Sequence, residues 1–138
     1  MPVDWSTLSV GDALATEEFG PVTRTTLALF AGGSGDHNPL HIDIDYAHQA
    51  GLDDVIAHGM LSMAYLGRYL ENIASPGTIQ SWSARFTAMT PVGVAIRCSA
   101  KVDAIDAANG NVSLSVKTET REGVMTIDGR AIVRVQTA

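Results

Sequence analysis

His58-Gly59-Met60-Leu61-Ser62-Met63-Ala64-Tyr65-Leu66-Gly67-Arg68-Tyr69-Leu70 decides how this chain folds. The stretch is apolar on nearly all sides for three helical turns. A helix of that kind is buried rather than laid on a surface, so other elements must cover it. It is expected to run to about Ile73 and stop before Ser75-Pro76-Gly77.

Downstream the texture changes to alternation and β-branched residues. Strands are predicted over residues 78–88, 94–105, 112–120 and 124–135. Thr90-Pro91-Val92-Gly93 breaks the first pair, Asn109-Gly110 signals a hairpin, and Arg121-Glu122-Gly123 makes a tight turn. Upstream, residues 3–12 read as irregular, with a turn at Gly11-Asp12. A first strand is predicted over 13–19, ending at Gly20-Pro21. Thr23 caps a helix over 24–31 that Gly32-Gly33 stops, and Asp43 caps a short helix over 44–50 closed by Gly51. Four strands in meander order around one apolar helix give an α+β class: an antiparallel sheet wrapped around a long central helix, the hot-dog shape. The 138 residues make one such domain. Exposed sheet edges would pair with a second copy.

Composition narrows the function. The chain is 46% hydrophobic and 17% charged, which suits a packed core. Net charge is -6 with no basic run, so nucleic acid is an unsuitable partner. The charge is uneven. Residues 1–69 carry nine acidic and two basic side chains, against six and seven in residues 70–138, so an anionic ligand would approach the second half more easily. No apolar run is long enough to span a bilayer, and Met1-Pro2-Val3-Asp4-Trp5 does not resemble a secretory signal. Cys98 is the single cysteine and zinc-type Cys/His spacing is absent, so a reducing cytoplasm is the expected location.

Chemistry concentrates in Ser34-Gly35-Asp36-His37-Asn38-Pro39-Leu40-His41. Gly and Pro make this a shaped loop. One reading is an Asx-type turn with a surface histidine. The other is an acid/base pair: across the turn, Asp36 and His41 can hold a water between carboxylate and imidazole, one taking its proton while the other orients it. Adding that water to a carbon–carbon double bond requires an activating carbonyl, whose developing enolate needs a backbone N–H at a helix start. Gly59 begins the apolar helix and has no side chain to obstruct a thioester oxygen. The pair and the Gly59 N–H are therefore expected to face one narrow tunnel. Asn38 is expected to brace the loop, and Ser34 and Ser62 to hydrogen-bond near the site or serve structure. His37 and His48 are expected at solvent, and His58 in capping or packing. Met60, Met63 and Tyr65 read as core. Arg85 and Arg130 could reach a phosphate or simply face water. Tyr65, Tyr69 and Trp82 would set the depth of an acyl pocket. A Gly-x-Ser-x-Gly elbow is absent, and Gly32-Gly33-Ser34-Gly35 lacks the Lys-Ser/Thr of a P-loop.

Phe30-Ala31-Gly32-Gly33-Ser34-Gly35-Asp36-His37-Asn38-Pro39-Leu40-His41 resembles the signature of the MaoC-like, (R)-specific enoyl-CoA hydratases, and Ile56-Ala57-His58-Gly59-Met60-Leu61 resembles that family's second block. Arg85-Phe86 with Pro91-Val92, and Gly129-Arg130-Ala131, fit more weakly. The small (3R)-hydroxyacyl-ACP dehydratase subunits are especially similar. The resemblance covers about residues 5–135. It implies a hot-dog fold, a homodimer or heterodimer, no metal and no redox cofactor. It also implies catalysis by Asp36 and His41 and an oxyanion donor at Gly59, with Asn38 in support, and Ser62 is the candidate for a further substrate contact beside Gly59. The implied reaction reversibly adds water to a trans-2-enoyl thioester of CoA or acyl carrier protein, giving an (R)-3-hydroxyacyl thioester in fatty-acid metabolism. The alternatives are an active or accessory subunit of a heterodimeric dehydratase, a hot-dog thioesterase, and a hydratase for branched, dicarboxylic or polycyclic acyl groups.

Overall fold

The apolar stretch folds as α3, Gly59–Ala74, 16 residues with His58 at its N-cap. Its buried side chains are Leu61, Ser62, Leu66, Tyr69, Leu70, Ile73 and Ala74, which recur at the three- and four-residue spacing of one helical face. The computed structural model describes residues 3–120 and 122–135.

Five antiparallel strands curl around that face in the hot-dog arrangement: β1 Glu17–Phe19, β2 Thr78–Phe86, β3 Ile96–Asp106, β4 Asn111–Glu119 and β5 Met125–Arg134. Alternation places Ile96, Cys98, Ala100 and Val102 of β3, and Val112, Leu114, Val116 and Thr118 of β4, against the helix. Ile127, Ala131 and Val133 of β5 complete the layer.

The cover is one-sided. Met60 (58% exposed), Ala64 and Arg68 remain outside, so the expectation of burial all round holds for only one face of α3. The apolar residues of the outer face are met in part by Trp82 of β2, whose ring lies against Gly67.

The sheet order is β1-β3-β4-β5-β2, which corrects the expected four-strand meander. Tight hairpins keep β3, β4 and β5 consecutive. The chain leaves α3 on the far side of the sheet, so β2 pairs with β5, Thr78 opposite Arg134 through Phe86 opposite Ile127. Residues 87–95 then cross back to β3. Both β1 and β2 are edge strands.

Smaller boundaries also move. The expected strand over 13–19 shortens to β1, with Ala13 held by a single bridge to Lys101. Helix α1, Arg24–Ser34, is capped by Thr23 as expected but continues through Gly32-Gly33. Those glycines weaken a helix without breaking its hydrogen bonds. It ends at Gly35, whose φ of 79° is the left-handed cap that glycine favours. Asp43 caps α2, Ile44–Gln49, through the amides of Asp45 and Tyr46. The β4–β5 turn is closed by Thr120 N–H donating to Val124 O, and Arg121 of the expected tight turn lies outside the described residues. No helix of the described residues is long and apolar enough to cross a membrane.

Candidate active site

The loop leaving α1 is built from three successive side-chain turns. The Asp36 amide donates to Ser34 Oγ (3.1 Å), the Asn38 amide to Asp36 Oδ1 (3.2 Å), and the Leu40 amide to Asn38 Oδ1 (3.1 Å). A 3-10 turn, Pro39–His41, follows. The loop is thus an Asx-type turn, and that does not compete with chemistry. Asp36 spends Oδ1 on the turn, while its Oδ2 lies 3.9 Å from His41 Nε2. This separation is too long for a direct hydrogen bond and short enough for one bridging water.

His41 is aimed by the segment preceding α3. Its Nδ1 lies 2.8 Å from the Ile56 carbonyl oxygen, which can only accept. Nδ1 therefore carries a proton, and Nε2 is the ring nitrogen turned toward Asp36. The Ile56 segment is tied down by its own amide, bonded to Leu40 O, and by the Ala57 amide, bonded to Thr90 O.

His58 joins this pair. It is 1% exposed and stacks on His41 with ring centroids 3.9 Å apart. Its Nε2 donates to the Asp36 carbonyl oxygen at 3.1 Å, and Phe30 meets the ring edge-on at 4.9 Å. Its Nδ1 is buried without a partner among the described residues. Burial pushes the His58 pKa down, the neighbouring His41 adds to this, and the bond to the Asp36 carbonyl opposes it. A neutral ring is the outcome. Of the capping or packing role expected of His58 the structure shows packing: the ring stacks on His41 and makes no side-chain cap bond to α3.

Gly59, as the first residue of α3, has no intrahelical partner for its N–H. It lines a cleft of about 370 Å³ together with His41, Ser62, Phe86, Thr90 and Thr126. A β-carbon on Gly59 would lie 3.0 Å from the Phe86 ring, so Phe86 closes over a site that only glycine leaves open. Ser62 is buried, with Oγ 3.5 Å from Thr90 Oγ1. Asp36 opens on a second, apolar pocket of about 640 Å³, shared with Phe30, Ser34, Met60, Met63 and Trp82. In place of the single tunnel expected, two pockets therefore flank the pair.

The other candidates divide. Asn38 lines neither pocket and braces the loop. His37 is exposed, and exposed His48 also bonds Asp53 O at 2.8 Å. Met60 is exposed rather than core. Tyr69 is buried in the core with its hydroxyl on Ala15 O, and Tyr65 stacks on Phe19, so that of the three aromatics expected at an acyl pocket only Trp82 lines the pocket of Asp36, together with Phe30. Arg85 and Arg130 sit together beside Asp128, apart from both pockets. Phe86 and Thr90 were not singled out as site residues. They arrive from β2 and the crossing that follows it, far from the loop in sequence, and the one local signal was the weak family match at Arg85-Phe86 and Pro91-Val92, on which Phe86 lies and which Thr90 adjoins.

Ligand atoms of Asp36, His41 and His58 lie within 4.8 Å of one another, a grouping that could hold a metal ion. The ring planes, however, are only 24° from parallel. In-plane lone pairs of stacked imidazoles run side by side, and one ring would have to turn for both to converge on an ion.

A family model described as MaoC like domain matches residues 6–124. The chain is 32% identical over 116 residues to an (R)-specific enoyl-CoA hydratase of Rhodospirillum rubrum, covering 83% of this chain and 80% of that one. It is 26% identical over 117 residues to 3-hydroxyacyl-thioester dehydratase Z of Mycobacterium tuberculosis, covering 80% and 78%. Among solved structures it is similar to R-Hydratase PhaJ1 from Pseudomonas aeruginosa in the unliganded form, with a TM-score of 0.87, 26% identity, and coverage of 96% and 85%.

Proposed function

The chain belongs to the MaoC-like domain family, and from that premise we propose that it is a reversible hydro-lyase. It adds water to a trans-2-enoyl thioester to give an (R)-3-hydroxyacyl thioester, in fatty-acid metabolism. The similarity to an (R)-specific enoyl-CoA hydratase and a 3-hydroxyacyl-thioester dehydratase supports this reading.

The observation that carries the proposal is the 3.9 Å spacing of Asp36 Oδ2 and His41 Nε2 beside the start of α3. Asp36 orients the water and His41 Nε2 takes its proton as the oxygen bonds to C3. The π electrons move to the thioester oxygen, which the Gly59 N–H stabilises as the enolate forms. A proton returned to C2 collapses the enolate, so the atoms of one water are added and none is lost. The same steps reversed eliminate water from the alcohol.

The substrate is the thioester of CoA or of acyl carrier protein, which share the phosphopantetheine arm. The proposed unit is one domain working in the cytoplasm. The free edges of β1 and β2 support assembly with a second copy, or with a related partner chain as in a heterodimeric dehydratase. Asp36 and His41 are both in place, which favours an active subunit over an accessory one.

Purified protein given crotonyl-CoA tests the proposal, with the conjugated-thioester absorbance and free thiol followed in parallel. Loss of absorbance without thiol release is expected. Thiol release with the enoyl signal intact would instead mark a thioesterase. Sizing the same sample by light scattering tells whether the chain acts alone, as a homodimer, or only with a partner.

A further inference from the structure

The cleft of His41 and Gly59 is lined by the hydroxyl-bearing side chains of Ser62, Thr87, Thr90 and Thr126, and these are not equally engaged. Thr87 Oγ1 donates to Met125 O at 2.8 Å. Thr126 Oγ1 donates to Thr118 O at 3.3 Å and lies 2.8 Å from Thr118 Oγ1. The hydroxyls of Ser62 and Thr90, residues 1% and 5% exposed, meet only each other among the described residues, at 3.5 Å. A hydroxyl–hydroxyl bond closes at about 2.5–3.0 Å, so this one is slack. Buried hydroxyls normally have full partners. Two that do not, side by side on the wall of a cleft, keep hydrogen-bonding capacity for a ligand atom.

We infer that the Ser62 hydroxyl is a second donor to the enolate oxygen and that Thr90 turns it there. This inference rests on the hydro-lyase reading, and the test separates the two. Ser62 is three residues beyond Gly59 on α3. Side chains on a helix lean toward its N-terminus, so a hydroxyl at that position covers the turn from which the Gly59 N–H emerges. Thr90 stands outside the helix, on the crossing after β2, and its main chain fixes its place. Thr90 O accepts from the Ala57 N–H at 2.9 Å, and Pro91 bridges to Ile56. The same segment carries the Ile56 carbonyl that aims His41. The Thr90 hydroxyl donates to Ser62 Oγ, which leaves the Ser62 proton for the thioester oxygen. As charge develops on that oxygen the two bonds in series tighten, each polarising the other. Ser62 thus touches the reacting atoms, and Thr90 acts through it as a positioning residue.

The experiment compares wild type with Ser62→Ala, Thr90→Val, Thr90→Ser and the double variant Ser62→Ala/Thr90→Val, each checked by thermal melting. Hydration of crotonyl-CoA gives kcat and KM. The infrared carbonyl stretch of bound butyryl-CoA, isotopically labelled at the thioester carbonyl, reads the donors in a ligand with no double bond to hydrate. Ser62→Ala is expected to lower kcat about 100-fold with KM nearly unchanged, the scale of one oxyanion donor. Thr90→Val keeps the shape without the hydroxyl and is expected to lose about tenfold, a fraction of that effect, which Thr90→Ser recovers. The double variant is expected to lose no more than Ser62→Ala alone, because Thr90 acts through Ser62. The carbonyl stretch is expected to rise toward its solution value in Ser62→Ala and Thr90→Val and to hold in Thr90→Ser. If Ser62→Ala does not fold, the two Thr90 variants read the same rescue and the same stretch. An unchanged kcat in folded Ser62→Ala or Thr90→Val overturns the inference alone. So do equal losses in Thr90→Val and Thr90→Ser, additive losses in the double variant, or a raised KM with kcat intact, which would place the hydroxyls on the arm of the substrate. No hydration by the wild type overturns the hydro-lyase reading and this inference with it.

Discussion

The imidazole of His58 lies stacked on that of His41, ring centroids 3.9 Å apart and planes 24° from parallel, while its Nε2 holds the Asp36 carbonyl oxygen. One buried residue thus touches both members of the proposed acid/base pair, through a ring face on one side and a hydrogen bond on the other. In the proposed mechanism His58 is a positioning residue that acts through the pair.

Replacing His58 separates packing from positioning. Gln can place an amide N–H near the position of Nε2 and keep the bond to Asp36 O, whereas Leu fills space without donating. His58→Leu is expected to lower kcat about 10- to 100-fold with little change in KM, the scale of a misplaced catalytic group. His58→Gln is expected to recover much of that loss. Equal kcat values in the two variants would reduce His58 to a space-filling role.

Stability should carry the mark of the same histidine. Burial lowers the pKa of His58 in the folded chain below its ordinary value of 6.5. The unfolded chain therefore binds a proton first as pH falls, and folding stability drops. The neutral-ring contribution is complete above pH 6.5 and is lost as pH falls from there through the lowered folded value. Thermal melts between neutral and mildly acidic pH are expected to show a shallower loss of Tm in His58→Gln than in the wild type. Parallel curves would contradict this.

Gly59→Ala puts a methyl group 3.0 Å from the Phe86 ring and beside the N–H assigned to the enolate. The ring must give way, and the thioester oxygen loses its close approach. The variant keeps the N–H but blocks the approach to it, and hydration is expected to fall about 100-fold, the order found when an oxyanion contact is lost. The double variant Gly59→Ala/Phe86→Ala relieves the steric contact, and its melting temperature shows whether the fold was the cause. Restored activity in the double variant would show that the displaced Phe86 ring, and not the methyl group beside the N–H, causes the loss.

Cys98 faces the core on β3 and is fully buried. Burial, reinforced by the charge of Glu17, pushes its thiol pKa up to about 12. A thiol so protonated and enclosed is a poor nucleophile. A disulfide reagent is expected to leave native protein unlabelled and to titrate one thiol after denaturation. Rapid labelling of the native state would show that β3 opens.

What the sequence disclosed was local chemistry. Asp36, Asn38 and His41 lie within six residues, so their loop could be recognised and its turn bonds anticipated. The start of α3 at Gly59 was readable because an apolar helix announces itself. Coverage of that helix was not readable, since which of Met60 and Leu61 meets the sheet depends on where the strands lie. The placement of β2 beside β5 escaped for the same reason: alternation tells a strand its faces, not its neighbours. The stop of α1 at Gly35 rather than Gly32 turned on a single left-handed residue among several glycines. Thr90 and Phe86 entered the site through β2 and its crossing, and Trp82 through its seat on Gly67. All three are facts of packing.

The most direct measurement is the hydration rate of crotonyl-CoA by wild type, Asp36→Asn and His41→Ala, with chiral analysis of the product. The pair is predicted to give (R)-3-hydroxybutyryl-CoA in the wild type and to lose about 100-fold or more of its rate in each folded variant, as removal of a general acid/base group does. Full activity in either variant, or an (S) product, would contradict it.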